Sequence, residues 1–487
     1  MATVRINKFD GGMVQNKRLS SYTSTPLSIR VDTSRKQSIR PYKDFELDAV
    51  TESDLDNFGI HKILYTGAEF FGSGTVSTGN QKPQLYKKTT DSPTAVWTTE
   101  TNGTNASSGA RNATLFVYYK NQDTIYGGNA AGIWGYTVAG DTFTHNENTS
   151  VTPTGNGVVH SKDDILYVPC GAVIASKNAA GGWNNDAFTG LPSDFSSVSI
   201  AEHRNNLLVG GNRNKQGVLY VWDRDSSVAT SVDSISFGDN TVKWVDTTGN
   251  LPIVCCTRVD ATTGFNEVVF YAIDNSSPVE LLSFNAEASG IAIVLGDTQK
   301  YGDSIQFLME LTIETELLVG IWSFVRKSDG TFKLEFVTTP RNDTAVTSGK
   351  VKGFFRYPGY HFICYLTEVS ANTVWRTDDQ VNYTATTRFH SIINPKMPTE
   401  DRIKKKQLLV VRSQYEAIPS TGTATIKYRI DGGSWVTLIS ETTAGVLTSE
   451  KQANSTLGTD IEFRSESTNG TEIVGLEYDY KVIHTQI

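Results

Sequence analysis

Paired acids, histidines, cysteines and one lysine run are the residues of this chain whose types could do chemistry. Asp163-Asp164 and Asp378-Asp379 are neighbouring carboxylates, the residue type that general acid–base hydrolysis uses. Both pairs sit in turn contexts, and adjacent residues of an extended chain face opposite sides, so neither pair converges on one bond. The seven histidines are scattered, and with Cys170, Cys255, Cys256 and Cys364 they make no zinc-site spacing. Cys255 and Cys256 lie inside the apolar run Leu251-Pro252-Ile253-Val254-Cys255-Cys256, where they read as two small buried fillers. Four cysteines in 487 residues are too few for a disulfide scaffold. No phosphate loop, nucleophile elbow or His-Glu-x-x-His occurs. Lys404-Lys405-Lys406 could hold an anion, although charged guards on a strand or linker explain the run better. The expectation is therefore no catalytic residue, no metal ligand and no cofactor: a chain that is not an enzyme.

The elements that must position these residues follow from composition. Hydrophobic residues make up 38% and charged residues 20% of the chain, with 41 glycines, which excludes disorder for the bulk of it. Twenty Tyr, 22 Phe and 8 Trp accompany abundant Thr and Ser and only 4 Met, a mixture that packs on pleated surfaces. The fold class expected is all-β. The amino terminus has no apolar signal core, and no apolar run approaches the ~20 residues that cross a bilayer. Asn-x-Ser/Thr sequons, among them Asn102, Asn105, Asn112 and Asn382, then reflect Thr-rich turns, and folding in a reducing cytosol is expected.

One pattern recurs along the chain: apolar strand, polar turn, apolar strand, Gly-bearing loop, then a strand rich in Tyr and Trp. Val198–Ala201, Asn206–Gly211 and Val218–Trp222 show it most clearly. The third-strand marker falls at Tyr86, Trp134, Val173, Tyr220, Phe270, Trp322 and Trp375. That spacing, about 40–50 residues, matches the four-stranded blades of a propeller. Residues 50–395 are read as a β-propeller of about seven blades, six or eight also fitting the period. A run of separate sandwiches is the competing architecture, but it does not predict the repeated order.

After Asn394-Pro395-Lys396-Met397-Pro398, a linker by its two prolines, strands alternate cleanly, with Asp431-Gly432-Gly433 as a hairpin turn. Residues 400–487 are read as a small C-terminal β-sandwich. Residues 1–49 are an extended basic arm. Its first 44 residues carry Arg5, Lys8, Lys17, Arg18, Arg30, Arg35, Lys36, Arg40 and Lys43 against Asp10, Asp32 and Asp44. That arm is +6, which leaves −14 on the rest of a chain whose net charge is −8. Such an arm suits docking on a neighbouring subunit, or on its own body as an outer strand. Sequence-specific nucleic-acid binding is not expected, because the basic residues are not interleaved with aromatics and the body is acidic.

Three resemblances bear on function. Phe355-Arg356-Tyr357-Pro358 resembles the Phe/Tyr-Arg-Ile-Pro motif of sialidases, whose arginine holds a carboxylate, although there the motif precedes the blades. Ser176–Trp183 resembles an Asp-box with Asn178 in the Asp position, a turn that is structural in any case. The Phe9-Asp10-Gly11-Gly12 opening, the basic arm, the degenerate propeller and the small terminal sandwich together resemble bacteriophage virion structural proteins, nozzle-like tail or neck components. This resemblance implies a virion protein made in the host cytoplasm. Its partners would be copies of itself and other tail or neck proteins, acting in tail assembly and DNA delivery. It carries over no site residue. The alternatives are a tail-tip protein that binds host surface glycans, with Trp97, Trp134, Trp222 and Trp375 as stacking faces, and a propeller glycosidase using Arg356.

Overall fold

A computed structural model describes residues 2–6, 12–13, 24–25, 28–29, 45–48, 60–75, 83–92, 94–101, 113–286, 292–313, 316–327, 330–338, 351–358, 360–366, 372–377, 387–392, 404–453 and 455–483. The chain divides into two compact units. One comprises Glu46–Val319 and Val346–Thr377, and the other Met1–Phe45, Gly320–Ala345 and Asp378–Ile487.

The first unit is a propeller. Each blade is an antiparallel meander, the form that alternating Val, Ile, Tyr and Phe with short polar turns favours. Blade 1 is Ile60–Tyr65, Phe70–Thr75, Pro83–Lys88 and Thr98–Thr101. Blade 2 is Leu115–Tyr119, Thr124–Asn129, Gly132–Thr137 and Thr142–Asn148. Blade 3 runs from Val158–His160 through Ile165–Cys170 and Val173–Lys177 to Trp183–Asn184. Blade 4 is Phe195–His203, Asn206–Arg213, Gln216–Trp222 and Asp233–Ser236. Blade 5 is Thr241–Thr248, Leu251–Val259, Asn266–Asp274 and Ser277–Asn285. Blade 6 opens with Ala292–Tyr301 and Ser304–Ile313; its third strand, Glu316–Arg326, straddles the division between the units. Blade 7 takes Val351–Tyr357, Tyr360–Leu366 and Asn372–Thr377, and its fourth strand is Phe45–Leu47 from the start of the chain. All seven aromatic or apolar markers expected from the sequence fall on third strands.

The ring closes on its inner strands. Ile60–Tyr65 packs against Leu115–Tyr119, and Val158–His160 against Phe195–His203. The series continues through Thr241–Thr248, Ala292–Tyr301 and Val351–Tyr357, which returns to Ile60–Tyr65. Blades 2 and 3 meet through Leu115, Tyr119, Leu166 and Val168. Apolar side chains thus form clusters between blades, such as Phe71, Leu85, Trp134 and Tyr136 between blades 1 and 2. A lone four-stranded sheet has two faces to cover, and only stacking covers both. Inside the ring, the Lys62 ammonium donates to Thr114 O at 2.7 Å and pairs with Asp297 at 2.9 Å, tying blades 1, 2 and 6. At Gly353 a Cβ would lie 2.0 Å from His61 O, so only glycine lets blade 7 approach blade 1 this closely.

Closure has one further element. Asp48 follows the strand that completes blade 7, and its N–H donates to Val374 O at 2.9 Å. Its carboxylate accepts from Lys88 Nζ at 2.5 Å and from Trp97 Nε1 at 2.8 Å, both in blade 1. The Lys88 and Asp48 side chains are completely buried. Blades 6 and 7 are joined by His361, whose ring lies 3.0 Å from Gln306 Oε1.

The second unit holds a sandwich. One sheet has the order Ala2–Ile6, Ile473–Val482, Lys406–Tyr415, Thr448–Gln452. The other has the order Val436–Glu441, Thr423–Ile430, Ile461–Thr468, Thr387–Ile392, Ser28–Ile29. Leu408, Val411, Ile426, Phe463, Ile473 and Tyr478 lie in its core. Thr387–Ile392, upstream of the two-proline stretch, pairs with Ile461–Thr468. In the same unit Phe332–Thr338 pairs with Glu316–Arg326 on one side, and Met13 stands opposite Leu334 on the other.

Two outcomes are expected. Asp48→Asn removes the carboxylate charge that pairs with the buried Lys88 and is expected to cost about 3–5 kcal/mol of unfolding free energy. Denaturant titration measures it, and a loss under about 1 kcal/mol would show that the pair does not hold the ring shut. Burial, with Arg356 adding to it, pushes the His361 pKa down to about 3. The unfolded chain takes up this proton below about pH 6.5 and the folded chain does not. Stability from the neutral ring is therefore full above that pH and is lost as pH falls toward 3, at up to about 1.4 kcal/mol per pH unit. His361→Gln should flatten that part of the stability–pH curve; parallel curves for the two proteins would refute the assignment.

Candidate functional site

In a meander, the turns joining first and second strands gather at one end of the ring when the inner strands run the same way. Contacts between successive turns establish this within the propeller unit. Tyr65 and Tyr357 rings meet at 5.2 Å, Ser161 N–H donates to Glu202 at 3.1 Å, and Thr248 Oγ1 donates to Asp303 O at 2.9 Å. Tyr119 Oη and Asn121 Nδ2 both donate to Asp164, through its carbonyl and its carboxylate respectively. Asp123 (φ 47°), Asp164 (φ 52°) and Gly302 (φ 56°) take left-handed conformations in these turns, which Asp and Gly tolerate best.

The densest polar cluster on this face lies between blades 3 and 4. His160 ends the inner strand of blade 3, and its side chain is fully buried. Its Nδ1 is 3.0 Å from Asp163 Oδ1, and its Nε2 is 3.8 Å from Glu202 Oε1. Nδ1 donates to Asp163 when it carries the ring proton, and the Lys162 N–H approaches the same nitrogen at 3.4 Å. Asp163 also accepts from Arg224 Nη1 and, at 3.4 Å, from Tyr167 Oη. Arg224 itself sits at φ 77° and donates from Nε to Asn205 O at 3.1 Å. Burial lowers the His160 pKa and the Arg224 guanidinium lowers it further, against the pull of Glu202. The ring is a neutral base flanked by two carboxylates. Ser161 Oγ donates to Glu202 and not to the imidazole, so serine, histidine and acid do not line up as a nucleophile–base–orienter relay.

The carboxylates that do converge are Glu100 and Asp141, between blades 1 and 2. Tyr136 Oη donates to Asp141 at 2.5 Å and reaches Glu100 at 3.3 Å. Burial raises the Glu100 pKa; Lys87 opposes this, and the Asp141 charge adds to it. A third feature is aromatic. The Arg356 guanidinium lies 3.2 Å from the ring centroid of Tyr301, which is 54% exposed. Among the described residues no group of three His, Cys, Asp or Glu is placed to hold a metal ion.

The residues singled out from sequence are placed as follows. Asp163 and Asp164 turn to different blades and form no acid pair. Arg356 stacks on Tyr301, with its N–H on Gln299 Oε1 at 2.7 Å. The Ser176–Trp183 turn is tied to blade 2 through Lys177 to Glu147 at 2.9 Å and Trp183 Nε1 to Glu147 at 3.3 Å. Trp97, Trp134 and Trp222 are buried and offer no stacking face: Trp134 and Trp222 are third-strand aromatics that fill the space between blades, and Trp97, just before the fourth strand of blade 1, is tied to Asp48. The Trp375 side chain and Asp378-Asp379 lie outside the described residues. Lys406 is buried, with Nζ on Lys404 O at 3.1 Å and Thr459 O at 2.9 Å, so the lysine run is not three outward cations. All four cysteines are free and buried. Sequence reasoning passed over Glu202, Arg224 and Glu100. Their partners are about 40 or more residues away, so no local pattern announces them.

No family model matches the chain, and no curated protein matches it. Among solved structures, an exo-beta-1,3-galactanase from Phanerochaete chrysosporium is similar over 90% of this chain and all of its own, at 10% identity and a TM-score of 0.30. YCF48 bound to D1 peptide matches over 69% of this chain and 96% of its own, at 10% identity and 0.45. The WD40 domain of Toxoplasma gondii coronin matches over 72% and 87%, at 11% identity and 0.41. The expectation that the chain is not an enzyme is corrected here: the matched structures include that galactanase, so an absence of catalysis is not held.

The His160 environment gives a direct test. Removing the guanidinium with Arg224→Ala should raise the His160 pKa, as followed by NMR titration of its ring protons. An unchanged or lower value would show that Arg224 does not set the charge state of this ring.

Proposed function

We propose that this chain is a structural subunit of a bacteriophage particle, a tail or neck component working through contacts with its own copies and other particle proteins. The observation that carries the reading is the use made of the first 29 residues. They add short strands to the edges of three sheets: Ala2–Ile6 on Ile473–Val482, Gly12–Met13 on Phe332–Thr338, and Ser28–Ile29 on Thr387–Ile392. Edge addition recognises backbone and is a recurrent way to join chains as well as segments. Its charge supports the same reading, since a +6 arm is drawn to a −14 body. A body of that sign also repels DNA passing nearby. On this reading the subunit is made in the host cytoplasm and carried in the virion.

Recognition of a host surface glycan is a second reading, favoured by the exposed Tyr301 ring beneath Arg356. An aromatic face and a planar cation suit a sugar ring bearing polar groups.

Particles purified from lysed host cultures should contain the chain at fixed stoichiometry, with antibody label at the tail or neck in electron micrographs. Absence from the particles would overturn the structural reading. A glycan array gives the second reading its own outcome: binding that Tyr301→Ala and Arg356→Ala abolish.

A further inference from the structure

One buried ring nitrogen of the propeller unit has no hydrogen-bond partner among the described residues, and it faces a carboxylate. His160 Nε2 is closed to solvent, and Glu202 Oε1 stands 3.8 Å from it. That gap exceeds the ~3.2 Å reach of an N–H···O bond by a distance that one side-chain adjustment covers. On the other side of the ring, Nδ1 lies 3.0 Å from Asp163 Oδ1. A neutral imidazole has one N–H for these two carboxylates, whichever nitrogen bears it, and an imidazolium has one for each. Glu202 is meanwhile held by Ser161. The Ser161 N–H donates to it at 3.1 Å, and the hydroxyl donates to the same oxygen that faces Nε2.

Other charged and titratable groups reach the ring and its turn from three blades. Blade 3 brings Lys162, whose N–H approaches Nδ1 at 3.4 Å, and Tyr167, whose hydroxyl donates to Asp163 at 3.4 Å. Blade 4 brings Glu202 and Arg224, the latter paired with Asp163. Blade 2 holds the turn through Tyr119 and Asn121, which donate to Asp164. Burial opposes a charge on the ring most, then Arg224, with Lys162 adding to them against Glu202. The folded chain therefore takes up this proton below the ordinary ~6.5 of histidine. Stability drawn from the neutral ring is full above about pH 6.5 and is lost as the pH falls through the lowered pKa. We propose that His160 is a proton-driven switch in the seam between blades 3 and 4: the imidazolium takes Glu202 from the Ser161 hydroxyl and bridges it to Asp163. The Ser161–Asp164 turn, exposed at Ser161 and Lys162, then loosens toward blade 4 while keeping its hold on blade 2. The turn face at this seam thereby differs between neutral and acid solution, whatever the chain assembles with.

Nuclear magnetic resonance on the full chain, with histidine rings and serine amides labelled, follows both partners of Glu202 at once. The His160 and Ser161 signals are assigned by their loss in His160→Gln and Ser161→Ala. As the pH is lowered, the Ser161 amide is expected to shift with the midpoint of the His160 ring. Glu202→Gln should lower that midpoint, since the carboxylate that favours the charged ring is gone, and should uncouple the amide from it. Ser161→Ala should raise it, because no hydroxyl then competes for Glu202. A Ser161 amide that stays still through the His160 titration overturns the switch, as does a midpoint that Glu202→Gln leaves unchanged or raises. A ring that takes up no proton until circular dichroism shows the chain unfolded overturns it too. Should Glu202→Gln fold poorly, the coupling in the unaltered chain and the exposed-site variant Ser161→Ala decide instead, an unchanged or lower midpoint in the latter counting against the proposal.

Discussion

A ring of blades is stable only if its last blade is bound to its first, and here that constraint rests on Asp48. The three residues Phe45–Leu47 complete blade 7, and the next side chain is seized by Lys88 and Trp97 of blade 1. Both members of the ion pair are removed from water, which costs each of them several kcal/mol of solvation before any attraction is counted. Such a pair adds little to gross stability. Its effect is on position: any other placement of Asp48 takes a buried carboxylate away from the buried Lys88 ammonium. The indole N–H occupies the second carboxylate oxygen, so the acid is held in one orientation. Every packing interface around the ring then has a fixed number of neighbours to fill.

Much of this was legible in the sequence, and the reason is geometric. A strand rich in Tyr and Trp recurring at about fifty residues marks the third strand of each blade, where large rings span the gap between sheets. Tyr86, Tyr220 and Phe270 are buried there, as expected of residues whose burial removes the most apolar surface. The same logic misleads when the rings are taken as ligand platforms: Trp97, Trp134 and Trp222 are inside because they are large. What the sequence could not disclose is pairing at a distance. Asp48 and Lys88, Asp163 and Arg224, and Glu202 and His160 lie about 40 to 60 residues apart. Each becomes a neighbour only after the ring has set blade beside blade.

Polar groups in this fold concentrate where the backbone leaves them no alternative. First turns need left-handed residues, and Asp at positions such as 123 and 164 brings a carboxylate along with the conformation. The Asp123 carboxylate braces its own blade, accepting from Tyr118 Oη and Ala139 N–H, while that of Asp164 accepts from Asn121 of the neighbouring blade, so at Asp164 turn chemistry and blade-to-blade adhesion are met by one residue. Arg204 and Arg224 depart from this rule, since each holds positive φ without the short polar side chain that eases it. Arg224 is held there by two bonds, to Asn205 O and to Asp163.

The His160 cluster shows how far adhesion and chemistry can be told apart. A base with a bare nitrogen, a neighbouring serine and two acids would be the parts of a hydrolytic centre if their bonds ran in series. They run in parallel instead. Serine is bound to Glu202, histidine to Asp163, and Arg224 closes the second acid. Each bond crosses or braces the seam between blades 3 and 4, which is what adhesion requires. Catalysis would demand that Ser161 give up Glu202 for an imidazole that is fully buried. The shape of this cluster is thus set by the seam it closes. The Tyr301 and Arg356 stack follows the same rule, since it and the Arg356 N–H bond to Gln299 span the seam between blades 6 and 7, although there Tyr301 stays 54% exposed.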